Sequence, residues 1–117
     1  MKTDNIVQFK SYAFALRIIK VYKFLSHEKK EFILSKQLLK SGTSIGANIE
    51  EAIGGQSKAD FFAKITISYK ESRESKYWIR LLKDSEYLTP EQADDLLKDI
   101  DELLKIIGTI QKTMRNS

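Results

Sequence analysis

The side chains that most often carry out catalysis or bind metals are scarce in this sequence. There is one histidine, His27, and no cysteine, which excludes cysteine nucleophiles and zinc sites made of Cys and His. His27 lies in a polar turn, outside any Glu-x-x-His pair of the kind that di-iron bundles require. Glu50, Glu51 and Glu74 have no convergent His or Asp partners, so we expect surface ion pairing from them. The sequence therefore predicts a protein that is not an enzyme and holds no metal, cofactor or small-molecule substrate.

A different chemistry is indicated between residues 62 and 83, where cations alternate with aromatic rings at helical spacing. One broad helix face carries Phe62, Tyr69, Arg73, Lys76, Tyr77 and Arg80, with Lys70 and Lys83 at its margins. Cations pair with phosphates and aromatic rings stack on bases, which is the composition of many nucleic-acid sites. The candidate nucleic-acid-binding residues are Tyr69, Lys70, Arg73, Lys76, Tyr77, Arg80 and Lys83. A solvated or subunit-facing surface is the alternative that the pattern leaves open.

Four helices are predicted to position these residues, at about 5–26, 31–53, 58–86 and 90–114. Gly54 and Gly55 end the second helix, and Ser57 with Asp60 forms an approximate capping box for the third. Thr89, followed by Pro90 and Gln92, predicts the start of the fourth. With such short connections, we expect one all-α domain over residues 1–117, an up-down-up-down four-helix bundle.

The first predicted helix is apolar on two sides. Phe9, Tyr12, Leu16 and Ile19 form one face, and Phe14, Ile18, Val21, Tyr22 and Leu25 form the roughly opposite one. A helix at the surface of a monomeric bundle needs a single apolar face. The second face, from Phe14 to Leu25, is therefore predicted to be a subunit interface, which implies a homo-oligomer.

Small residues occupy the middle of the second and third helices. Gly42 and Gly46 lie on one side of the second helix, and each glycine destabilises a helix interior by roughly 1 kcal/mol relative to Ala. This predicts a closely packed neighbouring helix, with serine hydroxyls of the third helix bonding across to the second. Asn48 is predicted to face the core and to set helix register.

The net charge of +4 is unevenly distributed along the chain. Residues 1–83 carry 16 Lys and Arg against 8 Asp and Glu, whereas residues 84–117 carry 4 against 8. A basic body with an acidic last helix is suited to nucleic acid or to head-to-tail subunit contacts, and a solvated surface is the remaining alternative. The absence of cysteine and of a long apolar run predicts a cytoplasmic protein without a membrane partner.

Two segments resemble a known family. Ser44-Ile-x-x-Asn48-Ile-x-Glu51, followed by Ser57-Lys-x-x-Phe61, is similar to the four-helix-bundle proteins of the 23S rRNA intervening-sequence family. The segment from Lys70 to Leu82, which includes Glu74 and Trp78, resembles the matching part of the third helix in that family.

The resemblance implies a bacterial cytoplasmic protein that assembles as a homopentamer, a ring of bundles. The accessory protein of diversity-generating retroelements is similar in fold, which implies binding to structured RNA or to a nucleoprotein partner such as a reverse transcriptase. The family has no catalytic residues to carry over. Asn48, Glu51 and Glu74 match its motif positions and are interpreted as structural. A structural or protein-binding scaffold without nucleic-acid affinity is the alternative function.

Overall fold

Four helices form all the regular structure of the computed structural model, which describes residues 2–117 and the side chains from residue 6 onward. They are α1 (Lys2–His27), α2 (Leu34–Ile53), α3 (Lys58–Asp84) and α4 (Pro90–Arg115). Each helix contacts the next one along the chain, and α1 also contacts α4. The four helices thus surround a shared core of buried apolar side chains. The predicted all-α, four-helix fold is confirmed.

The start of α2 lies at Leu34, three residues later than predicted, because a buried glutamate caps the helix from outside. Glu31 accepts hydrogen bonds from the backbone N–H groups of Ile33 (3.0 Å), Leu34 (3.0 Å) and Ser35 (2.7 Å). These N–H groups have no partner within the first turn of a helix. Burial raises the pKa of Glu31, but the hydrogen bonds from the backbone outweigh it, so that the net effect lowers the pKa.

The starts of α3 and α4 follow the predicted capping residues. Ser57 Oγ accepts a hydrogen bond from the backbone N–H of Asp60 at 3.1 Å. Thr89 and Gln92 form a complete capping box, in which each side chain accepts from the other residue's backbone N–H. The capping predicted for Ser57 and Thr89 is therefore confirmed.

Helices α2 and α3 are joined by buried serine hydroxyls. Ser68 Oγ donates to the carbonyl oxygen of Ile45 at 3.0 Å, and Ser75 Oγ lies 2.9 Å from Ser41 Oγ. Among the described side chains, no buried nitrogen or oxygen lacks a hydrogen-bond partner. The predicted hydrogen bonding from α3 serines to α2 is confirmed, and it lets the two helices pack through small side chains.

The glycines of α2 face α1. A Cβ atom added to Gly42 would lie 2.9 Å from Ile18 Cγ1, and one added to Gly46 would lie 3.4 Å from Ser11 Oγ. The first distance is too short for two carbon atoms, so Gly42 allows α1 to pack closely. The close neighbour predicted for these glycines is therefore α1, whereas the serines of α2 and α3 face each other.

The predicted subunit interface on α1 is wrong for its central residues, which belong to the chain's own core. Phe14, Ile18 and Leu25 expose 2% or less of their surface, and Val21 and Tyr22 are half-buried beside them. The physical reason is steric. Ile18 and the small Ser11 on this side of α1 fit against Gly42 and Gly46 of α2, which leave room for α1 to approach.

The acidic residues of α4 pair with cations of α1 and α3. On the α1 side, Arg17 contacts both Asp95 and Asp99, and Lys10 Nζ lies 2.9 Å from Glu102. On the α3 side, Lys76 and Lys83 pair with Asp101 and Asp94. The charge asymmetry of the sequence is thus largely used within the chain to place α4 between α1 and α3.

Candidate nucleic-acid interface

The seven candidate nucleic-acid-binding residues lie along the flank of α3 that faces α4 and the solvent. We call them the basic face: Tyr69, Lys70, Arg73, Lys76, Tyr77, Arg80 and Lys83. Residues three, four or seven positions apart share one side of a helix, so the long, regular α3 places them in a row. Lys70, Arg73, Tyr77 and Arg80 are exposed, and the other three are half-buried.

A groove of about 400 Å³ runs between α3 and α4 along this face. It is lined by Tyr69, Arg73, Lys76, Tyr77, Arg80 and Leu104. Leu104 comes from α4 and supplies an apolar floor that the site prediction missed, although its position in the apolar pattern of α4 was evident. Phe62 lies elsewhere, with its ring 5.7 Å from the guanidinium carbon of Arg115. The structure therefore brings five of the seven candidates together.

The cations of the basic face fall into two groups. Lys76 Nζ lies 2.7 Å from Asp101, and Lys83 Nζ lies 2.7 Å from Asp94, so both lysines are already paired. Arg73 and Arg80 have no carboxylate within 4.0 Å among the described side chains. The sequence contained a signal for the pairs, because the two lysines and the two aspartates are each seven residues apart. Arg73, Arg80 and the exposed Lys70 are therefore the cations of the basic face whose charge is left for a ligand.

The two tyrosines also differ in what they offer. Tyr69 is half-buried and packs over Gly108 of α4, where an added Cβ would lie 3.6 Å from its ring. Tyr77 is 51% exposed, and its ring meets Trp78 edge-on with centroids 5.1 Å apart. Contact with Trp78 restrains the ring of Tyr77 while leaving much of it open. Tyr77 is thus the better platform for stacking.

The three motif residues lie away from the basic face: Asn48 and Glu51 are on α2, and Glu74 is on the flank of α3 toward α2. Asn48 is half-buried rather than in the core, and its side-chain amide donates to the carbonyl oxygen of Ser44 at 2.8 Å. Glu51 lies 3.3 Å from Lys64 Nζ, and Glu74 accepts from the indole N–H of Trp78 at 3.1 Å. The prediction that Asn48 faces the core is wrong, because Ile45 and Ile49 occupy the inner side of α2. These three residues share no groove with the basic face.

Glu71 lies beside Glu74 on this second flank and was not among the predicted site residues. It is half-buried, and its pKa is raised by burial and by the charge of Glu74, against the opposing effect of Lys40. Glu71 and Glu74 therefore place two neighbouring carboxylates on the flank toward α2.

The remaining chemical candidates stay apart. His27 is exposed at the end of α1. Within residues 2–117 as described, no three His, Asp or Glu side chains come together as a metal site. None of the described helices is long and apolar enough to cross a membrane.

A second surface stands out on α1, on the side away from the core. We call it the outer α1 face: Ile6, Phe9, Tyr12, Leu16 and Ile19. Phe9 is 76% exposed and Tyr12 is 67% exposed, and the other three expose between 36% and 48%. Contiguous apolar surface of this kind is typical of sites of protein association.

Fold and interface together define an all-α four-helix protein with a basic groove on one side and an apolar helix face on another. The family model described as 23S rRNA-intervening sequence protein matches residues 3–109. The chain belongs to this family, and the resemblance carried by the segment from Ser44 to Glu51 is confirmed.

The chain is also similar to a crystal structure of a protein of unknown function from the S23 ribosomal protein family of Bacteroides thetaiotaomicron. The two sequences are 51% identical, over 94% of this chain and 98% of the other, and the TM-score is 0.93. A search of proteins with curated functions gave no match.

Proposed function

We propose that this protein is a non-enzymatic, oligomeric module that binds structured RNA, or a nucleoprotein partner that contains RNA, through its basic face. The observation that carries the proposal is the groove between α3 and α4, where Arg73 and Arg80 flank the exposed ring of Tyr77. Guanidinium groups bind phosphate oxygens in a forked geometry, and an exposed ring stacks on bases. This combination suits nucleic acid better than a small molecule or a protein surface.

Self-association is the second part of the proposal. The antiparallel contacts between neighbouring helices, such as Ser41 with Ser75 and Lys76 with Asp101, support an up-down-up-down bundle. We propose that such bundles assemble into a ring-like homo-oligomer, with the outer α1 face as a subunit interface. The family resemblance favours a pentamer. A ring would repeat the basic face in every subunit, so that modest individual contacts gain strength through multivalency.

A bacterial cytoplasmic setting completes the proposal, with no membrane, cofactor or small-molecule partner. The runner-up function is a structural or protein-binding scaffold without nucleic-acid affinity. The outer α1 face favours it, because 76% exposure of Phe9 is suited to a protein partner and has no role in phosphate binding.

The experiment that separates the two functions is fluorescence anisotropy of a labelled RNA stem-loop across a salt series. Removing one phosphate contact lowers the slope of log affinity against log salt by about 0.7 to 0.9. Replacing Arg73, Lys76 and Arg80 together with Ala should therefore weaken binding and flatten this slope. The change should correspond to about two phosphate contacts, since Lys76 is already paired with Asp101.

The matched control removes the same charge elsewhere. Lys23, Lys36 and Lys58 are exposed lysines outside the basic face, and their joint replacement with Ala should leave the salt slope within about one phosphate contact of wild type. If wild type does not bind the stem-loop even at low salt, or if both triple variants bind alike, the scaffold function replaces RNA binding.

A further inference from the structure

We propose that the basic face takes an unpaired nucleic-acid strand rather than a duplex, with a base stacked on Tyr77 and flanking phosphates on Arg73 and Arg80. This assignment rests on the nucleic-acid binding proposed above and specifies the form of ligand that the same site recognises. Three features of the groove support it: the distribution of free charge, the setting of Tyr77, and the apolar residue that α4 contributes to the lining.

The free charge on this face is sparse rather than continuous. Lys76 and Lys83 are held at 2.7 Å from aspartates, which leaves the two arginines as cations without a carboxylate partner in the groove. Arg73 and Arg80 are seven residues apart, a separation of about 10 Å along the helix axis. Duplexes are bound mainly through many phosphate contacts, since they carry one charge per about 1.7 Å of axis. With Lys70 at the margin of the face, three unpaired cations are spread over about 15 Å of helix, which provides little of this.

The exposed aromatic ring lies between these cations. Arg73, Tyr77 and Arg80 are separated by four and three residues, so the ring stands one helical turn from each guanidinium. The edge-on contact with Trp78, at 70° between ring planes, holds the ring in place without covering its exposed surface. Bases in the interior of a duplex are already stacked on their neighbours, so a ring on a helix surface can stack on an unpaired base but not on an interior base pair. Such a ring adds little to binding along the side of a duplex.

The α4 side of the groove supplies an apolar surface. Leu104 is the lining residue that comes from α4, and it shares the groove with Tyr69 and Tyr77. Apolar and aromatic surface of this kind suits the face of an unpaired base, whereas the bases of a duplex are stacked on one another. A single strand can therefore follow α3 with its bases turned toward Leu104.

The test compares three labelled probes by anisotropy: a 12-nucleotide oligouridine, a 12-nucleotide oligothymidine and a blunt 12-base-pair RNA duplex. Wild type should bind the oligouridine at least about tenfold more tightly than the duplex at equal salt. Tyr77→Ala should weaken single-strand binding by about 5- to 150-fold, the range expected when one base no longer stacks, and leave the salt slope unchanged. Tyr77→Phe keeps the ring and should bind as wild type does. Comparing oligouridine with oligothymidine shows whether the strand recognised is RNA or DNA.

Tyr87→Ala is the matched control, because Tyr87 is 36% exposed in the turn before α4 and lies outside the groove lining. It should leave affinity for every probe unchanged. Tight duplex binding together with an unaffected Tyr77→Ala variant would overturn the single-strand assignment, while the proposed RNA binding would survive. Failure of wild type to bind any of the probes or the stem-loop would instead overturn the proposed function itself.

A gain of affinity gives an independent readout. Asp101→Asn removes the charge that pairs with Lys76 and frees that lysine for a phosphate. Binding of the oligouridine should tighten, and the salt slope should steepen by about 0.7, the value for one more phosphate contact to a single strand. Glu102→Gln is the control. Glu102 is the next residue of α4 but pairs with Lys10 of α1, so its replacement should leave the salt slope unchanged. Equal effects of both variants would show a general charge effect, and no effect of Asp101→Asn would overturn the role given to that pair.

Discussion

The two faces of α1 carry similar apolar side chains but differ in burial, since one packs in the core and the other is exposed to solvent. Phe14 and Ile18 on the inner face expose 2% or less, whereas Phe9 and Tyr12 on the outer face expose 67% or more. What separates them is the partner helix. Gly42 and Gly46 of α2 accept Ile18 and Ser11, whereas the part of the chain that the structure describes leaves the outer face exposed. Apolar periodicity thus identifies faces that need a partner, and the shape of the partner decides which one is buried in the chain's own core.

The largest expected effect comes from placing a charge on the inner face. Ile18→Glu puts a carboxylate at a site with 0% exposure, and it should destabilise the fold by more than about 4 kcal/mol or unfold it. Leu16→Glu, on the outer face at 48% exposure, should change the free energy of unfolding of the isolated subunit, measured at low protein concentration, by no more than about 0.5 kcal/mol. Circular dichroism during urea unfolding measures both.

The same pair of variants tests the assembly. If the outer α1 face joins subunits, Leu16→Glu should reduce the particle mass in light scattering while its helix content persists. If Ile18→Glu remained helical and Leu16→Glu unfolded, the assignment of the inner and outer faces would be reversed. A wild type that is monomeric at tens of micromolar would remove the assembly from the proposal.

A smaller effect is expected from closing the space that the inner face uses. Gly42→Val adds a branched side chain whose Cβ alone would lie 2.9 Å from Ile18 Cγ1, and overpacking of this kind costs roughly 1–3 kcal/mol. Gly108→Ala is the control, since its Cβ would meet Tyr69 at an ordinary 3.6 Å and the helix gains up to about 1 kcal/mol. Thermal unfolding should show the two variants moving in opposite directions. Equal stability of both would show that α1 does not depend on Gly42.

The smallest effect concerns Glu31, which fixes the start of the helix against which the inner face packs. Because the folded-state pKa of Glu31 is lowered, its contribution is present above the unfolded-state pKa, near 4.5, and is lost as pH falls through the folded-state pKa. Glu31→Gln should cost about 1–2 kcal/mol at neutral pH, as removal of a helix cap does. The difference from wild type should shrink below pH 4.5. Urea unfolding at several pH values measures it.

Glu28→Gln is the control for this effect, because Glu28 is an exposed carboxylate three residues earlier. It should leave stability nearly unchanged at every pH. Two results would contradict the role given to the carboxylate of Glu31. One is a loss of unfolding free energy in Glu31→Gln that stays undiminished to about pH 3, and the other is an equal loss in Glu28→Gln.

Much of the fold was predictable because the signals are local. Each of these signals depends on a few neighbouring positions. They are the helical spacing of apolar residues in four segments, the capping residues Ser57 and Thr89, and the small residues between α2 and α3. The start of α2 was missed because its cap is a glutamate two residues before the N-cap position, outside the usual Ser, Thr, Asp or Asn pattern. The choice between the faces of α1 was missed because it depends on Gly42, twenty-four residues away from Ile18.

The residues of the candidate site could be predicted from the sequence, but which of its cations are paired with carboxylates could not. Helical spacing places Arg73, Tyr77 and Arg80 in a row without reference to any other helix. Which cations are free depends on α4, since Asp101 and Asp94 pair with Lys76 and Lys83 only when α3 and α4 run side by side in opposite directions. Matched seven-residue spacings in two segments are a sequence signal for such pairs, and they are worth seeking in related chains.

The central claim is that RNA meets this protein on the basic face, and photo-crosslinking tests it most directly. An RNA stem-loop carrying 4-thiouridine would be irradiated with the wild-type protein, and the crosslinked peptides would be mapped by mass spectrometry. We predict adducts between residues 69 and 83, with Tyr77 foremost, which disappear when Arg73 and Arg80 are replaced with Ala. Adducts concentrated on the outer α1 face, or spread evenly over exposed lysines such as Lys36 and Lys98, would contradict the claim.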